Sequence, residues 1–144
     1  MLRAVLVACL VLAGVTRLPA AEPAQCETLR RHGQSAQADA CFEALAHADR
    51  AYLRAEGDWG LKHYDAANEE FRAAVRQADG NALYRIRWGR LLHERFNDRD
   101  ATDLFREALM RDPRSAAAYL GLALVSADGF DDHAIEWARK ALEL

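Results

Sequence analysis

The chain has 144 residues, 51% of them hydrophobic, 8% aromatic and 28% charged, with 19 basic against 22 acidic side chains and a formal charge of −3. This is the composition of one ordinary folded domain, which excludes a disordered or fibrous chain. The acidic balance leaves no surplus of cations to hold phosphates, so no nucleic-acid partner is expected, and the abundance of alanine favours helices whose backbones approach closely.

Residues 1–21 read as a secretory signal peptide: one early charge at Arg3, an apolar run from Ala4 to Val15, then Thr16 to Ala21 with Pro19. The run is about a dozen residues, short of the ~20 a helix needs to cross ~30 Å of hydrocarbon, so cleavage after Ala20 or Ala21 is expected, a retained anchor being the alternative. Leu6-Val7-Ala8-Cys9 resembles a lipoprotein lipobox, but lipidation at Cys9 would strand Leu10 to Val15 on the mature chain. Removing residues 1–21 takes away Arg3 and Arg17 and no acid, leaving 17 basic against 22 acidic residues, a formal charge of −5. The expectation is an exported, periplasmic or extracellular bacterial protein without membrane contact after cleavage.

Residues 22–47 are expected to form a helical hairpin. Glu27 to His32 is helical in pattern, Gly33 breaks it, and Ser35 is placed to cap a second helix running to His47. Folding about Gly33-Gln34 sets Cys26 and Cys41 opposite each other. They are the two cysteines left after signal removal, and a disulfide between them suits an exported chain. Two buried thiols in a helix pair are the alternative.

From residue 48 onward the chain repeats itself. Ala55, Gly89 and Ala123 are spaced by 34 and 34; Ala67, Ala101 and Ala134, then Phe71, Phe105 and Ala138, then Ala74, Ala108 and Ala141, by 34 and 33. Such a period marks a solenoid of stacked supersecondary units. The units are 48–81, 82–115 and an incomplete 116–144. Phe71 and Phe105 are placed to fill the space between neighbouring hairpins. Asp98 or Asp100 is expected to cap the second helix of the middle unit, Asp131 or Asp132 that of the last, while Pro113 ends one helix and leaves Ser115 to cap the next.

With Trp88-Gly89, Leu92, Ala101-x-x-x-Phe105-x-x-Ala108 and Pro113 in the middle unit, and Tyr64-x-x-Ala67-x-x-x-Phe71-x-x-Ala74 in the first, the chain resembles the tetratricopeptide repeat family. Arg54, Asp58, Asp79 and Arg85 depart from its pattern. The resemblance implies an all-α, right-handed solenoid of antiparallel helix pairs, about three repeats plus the N-terminal hairpin. It also implies a concave groove lined by the first helix of each repeat, where a peptide or partner helix lies. Carried over residue by residue, the groove positions are Asp49, Tyr52, Glu56 and Trp59 in the first repeat, Leu83, Ile86, Arg90 and His93 in the second, and Ala117, Leu120, Leu124 and Asp128 in the third. They read as an apolar middle with charged margins. The lysine and asparagine positions with which one subclass clamps a terminal carboxylate are not matched, because Tyr52 and Glu56 stand there.

Enzyme motifs do not fit. His93-Glu94 begins like a zinc-protease motif, but Asn97 stands where the second histidine must be. Asp128, Asp131, Asp132 and His133 lack the order of a calcium loop and read as turn and capping residues. No catalytic residue, metal or cofactor is expected. The reading is a non-catalytic protein-interaction scaffold. One alternative is the leading scaffold of a larger exported enzyme such as a peptidase; another is a module that self-associates through its C-terminal end.

Overall fold

The computed structural model describes residues 21–144. Apart from Ala21, the expected signal peptide lies outside the described residues, as does Cys9. The described chain is eight helices: α1 (Pro23–Arg31), α2 (Ser35–Ala46), α3 (Ala51–Gly60), α4 (Tyr64–Gln77), α5 (Ala82–Glu94), α6 (Asp98–Arg111), α7 (Ala116–Asp128) and α8 (His133–Leu142). Each helix packs on the next, and α1 also meets α3, as α5 meets α7. Four antiparallel hairpins therefore stack into a solenoid whose odd-numbered helices form the inner layer. None of these helices is long and apolar enough to cross a membrane.

A phenylalanine from an even-numbered helix holds each of the first three junctions. Phe42 of α2 packs with Cys26, Leu45 and Leu53. Phe71 of α4 lies with Ala55, Ala67 and Leu91. Phe105 of α6 lies with Ile86, Ala101, Ala118 and Leu122. The rings of Phe71 and Phe105 are fully buried. The small residues opposite are required by contact: a Cβ on Gly89 would come within 2.8 Å of the Phe105 ring, and one on Gly121 would overlap it. Alanine and glycine thus recur because a large ring from the neighbouring helix takes up the space their side chains would fill.

The helix boundaries follow local chemistry, with some differences from expectation. Ser115 Oγ accepts from the Ala118 amide at 3.3 Å, as expected. The cap of α6 is Asn97 rather than Asp98 or Asp100; its side chain accepts from the Asp100 amide and donates to the Asp100 carboxylate at 2.9 Å. Ser35 is the first residue of α2 and makes no cap, the preceding position being Gln34. Asp131 Oδ1 accepts from the His133 amide at 3.0 Å at the start of α8.

The departures from the repeat pattern form clamps. Arg54 donates to the carbonyls of Ala48 (3.0 Å) and Asp49 (2.7 Å) and to Glu70 (2.8 Å), holding the α2–α3 turn, which lacks glycine and proline. Arg85 is only 3% exposed. It donates to the carbonyl and carboxylate of Asp79 and to Glu107 at 3.0 Å, and Arg111 joins Asp79 at 2.8 Å. The turn that carries Asp79 where the pattern has proline is therefore fixed by two arginines. Cys26 and Cys41 are joined by a disulfide, their Cα atoms 5.4 Å apart. Among the described residues no buried side-chain nitrogen or oxygen lacks a hydrogen-bond partner.

Candidate functional site

The inner layer opens into two neighbouring hollows. The larger, about 610 Å³, lies between α1, α3 and α5, and includes Glu27, Glu56, Trp59, Arg87, Arg90 and Glu94 in its lining. The smaller, about 190 Å³, continues towards α7 and is bounded by Trp59, Arg90, His93, Glu94, Phe105, Gly121 and Leu124. Trp59, Arg90 and Glu94 belong to both.

An ionic floor underlies this groove. Glu56 is 2% exposed. Both its oxygens accept from Arg87, at 2.6 Å each, across 31 residues of sequence. Burial works against the Arg87 charge, but the hydrogen bonds and field of Glu56 outweigh it and raise the pKa. The same guanidinium lies 4.6 Å from the Trp59 ring centre. Trp59 donates its indole N–H to Glu94 at 2.8 Å, and the Tyr64 hydroxyl donates to the same carboxylate at 3.3 Å. Arg90 is the contrasting cation: burial, and then repulsion from Arg87, lower its pKa, and it forms no ion pair among the described residues. His93 sits between two acids, Nδ1 at 2.7 Å from Asp98 and Nε2 at 3.4 Å from Asp128.

Of the residues expected to face the groove, the structure brings Glu56, Trp59, Arg90, His93 and Leu124 to these hollows. Tyr52 is half-buried and stacked on Tyr84, ring centres 4.4 Å apart; burial and then Glu56 raise its pKa. Ile86, expected in the groove, is 5% exposed and belongs to the core around Phe105, because its turn of α5 faces α6 and α7 rather than the hollow. The expected apolar middle is instead the Glu56–Arg87 pair, with Arg90 and Glu94 in the lining of the same hollow. Leu83, Leu120 and Leu124 are 48%, 51% and 46% exposed, and of these only Leu124 bounds a hollow. Asp49 stands in the α2–α3 turn with its carbonyl taken by Arg54, Asp128 is exposed at the end of α7, and Ala117 is exposed near its start. Glu94 and Tyr64 were missed by sequence reasoning, as were Glu27 and Arg30 of α1. Their part in the groove depends on which helices meet, and no spacing within one repeat reveals it.

Stacked antiparallel helix pairs around alanine and glycine contacts, with an inner groove, define a right-handed all-α solenoid of the tetratricopeptide type. Solved structures agree. The chain is similar to a crystal structure of MamA at 18% identity and a TM-score of 0.61, over 82% of this chain and 72% of that one. It is similar to a second MamA crystal structure at 18% identity and 0.61, over 82% and 68%. A MamA structure labelled AMB-1 gives 22% identity and 0.60, over 83% and 69%. No family model matches the chain, and no curated protein matches it.

Proposed function

We propose that the protein is a non-catalytic interaction scaffold that holds a peptide or partner helix in the groove between α1, α3, α5 and α7. The observation that carries this reading is Arg90, a groove cation with no carboxylate partner among the described residues, lining the same hollow as Trp59, Glu94 and the exposed side chain of Leu124. Such a surface suits a segment with an acidic group for Arg90 followed by an apolar side chain over Leu124. Because the floor pair Glu56–Arg87 is already satisfied, it shapes the hollow and leaves Arg90 to select the ligand. The Cys26–Cys41 disulfide supports an exported location, since such bonds persist in oxidising compartments.

Selection from a random peptide library displayed on phage tests the proposal. The expected result is enrichment of peptides carrying an acid beside an apolar residue, with binding lost in Arg90→Glu and Leu124→Asp and retained in Arg76→Glu on the outer layer. Enrichment that is indifferent to Arg90 and Leu124 overturns it.

A further inference from the structure

His93 is the one histidine among the described residues placed between two carboxylates. Its Nδ1 lies 2.7 Å from Asp98, the first residue of α6, and its Nε2 lies 3.4 Å from Asp128, the last residue of α7. His93 itself belongs to the last turn of α5. Three helices therefore meet at one imidazole, which borders the smaller hollow.

The chemistry of this contact depends on a proton. Ionised carboxylates only accept hydrogen bonds, and a neutral imidazole carries one N–H, so a neutral ring serves one acid and turns a lone pair to the other. The doubly protonated ring donates to both, in charge-assisted bonds. Helix ends sharpen the difference. Asp128 stands at the C-terminal end of α7, where backbone carbonyls disfavour a carboxylate, whereas Asp98 stands at the start of α6, where amides favour one. A neutral ring thus keeps its N–H on Asp98, the nearer acid, and gives up Asp128.

Few other charges surround the ring. Arg90 and Glu94 of its own helix line the same hollow, and Glu94 is held by Trp59 of α3 and Tyr64 of α4, with Arg95 over the Tyr64 ring. From α6 and α7 the hollow receives, besides the two acids at its edge, only the uncharged Phe105, Gly121 and Leu124. Among the described residues Asp128 is exposed and forms an ion pair with His93 alone.

We propose that His93 is a proton-operated clasp: the imidazolium ties the end of α7 to α5 and α6, and loss of the proton releases it. Leu124 lies one helical turn before Asp128, on the same face of α7, so the clasp fixes the apolar wall of the smaller hollow. α8 packs on α7 and contains no buried residue, so it loosens with that end. Histidine side chains exchange their proton between about pH 5 and 8, so the wall is set in mild acid and freed in mild alkali. As regulation of the groove this rests on the interaction reading above; as a clasp it works without any ligand.

Hydrogen exchange of the full, disulfide-bonded chain without ligand, at about pH 5.5 and about pH 8, tests it, each rate being divided by the intrinsic rate at that pH. The expected result is several-fold greater protection of residues 124–128 and of α8 at the lower pH, with α4 as the unchanged internal reference. Asp128→Ala, at an exposed position that leaves the core untouched, should abolish the difference, as should His93→Gln. His133→Gln should preserve it, which separates the clasp from the exposed histidine of α8, whose pKa the hydrogen bond to Asp131 raises. Equal protection at the two pH values overturns the proposal, as does a difference that survives in Asp128→Ala or His93→Gln, or one that disappears in His133→Gln. Since exchange is read without a peptide, failure of the clasp and failure of the groove reading are distinct results.

Discussion

Phe105 reaches across a hairpin junction to the backbones of Gly89 and Gly121, and two opposite substitutions probe that contact. Phe105→Ala should cost about 3–5 kcal/mol by lost burial and an unfilled cavity. Gly121→Ala should cost about 1–3 kcal/mol by overpacking, because the new methyl meets a ring that has no room to move. Urea denaturation measures both, and a neutral Gly121→Ala would show that the junction is loosely packed. Asp79 gives a pH-dependent counterpart. Hydrogen bonds from Arg85 and then Arg111 hold its pKa below the ordinary carboxylate value of 3.8. A carboxyl depressed on folding stabilises above its unfolded-state pKa, and that contribution is lost as pH falls through the folded value. Asp79→Asn should therefore lower the melting temperature at neutral pH, and the gap from wild type should close under strong acid. A gap constant with pH would mean that the charge is not what the arginines read.

The α1–α2 hairpin is the element most dependent on a covalent tie. α1 contributes one buried residue, Cys26, to the core. Beyond the disulfide, Arg30 donates to the Gly60 carbonyl and lies 4.3 Å from the Phe42 ring centre. Closing a loop of about 15 residues contributes on the order of 3 kcal/mol in the chain-entropy account. Reduction, or Cys26→Ser/Cys41→Ser, should remove about that much stability by denaturant titration. Because α1 walls the larger hollow, reduction should also raise hydrogen exchange in α1 first, with α5 and α6 unchanged. A uniform rise along the chain would show that the hairpin unfolds only with the whole.

At the scale of the molecule, stability should be graded along the stack, since each hairpin rests only on its neighbours. α8 contains no buried residue, and Ile135 and Leu142 on it are 71% and 88% exposed. α6, by contrast, buries Ala101, Leu104, Phe105 and Ala108 between hairpins on both sides. Native-state hydrogen exchange should therefore show α8 opening at the lowest free energy and α5–α6 near the global value. Equal protection in α8 and α6 would overturn the graded picture.

The repeat was legible because a ring at one position and a small residue at its contact must recur with every hairpin, and the register of 34 records both. Phe42 performs the same task from 29 residues before Phe71, outside that register, and so was not seen. Trp59, Arg90, His93 and Leu124 were readable as groove residues because the resemblance to tetratricopeptide repeats carries those positions of each first helix over to the inner layer. Ile86 was misassigned because an inner helix has a second buried face, and one sequence does not say where the stripe of core contacts ends and the open surface begins.

What the sequence by itself determined is periodic: helical pairs, their length, the turns between them, and the two cysteines opposite each other about Gly33. These follow from interactions within one hairpin, over distances the chain spacing fixes. The tertiary structure decided what depends on stacking. Glu56 found Arg87 and Trp59 found Glu94 across 31 and 35 residues, turning an expected apolar groove into an ionic one. Neither pair is visible in any single repeat, because burial and pairing energies depend on the neighbour a side chain meets, and only the stacked hairpins supply that neighbour.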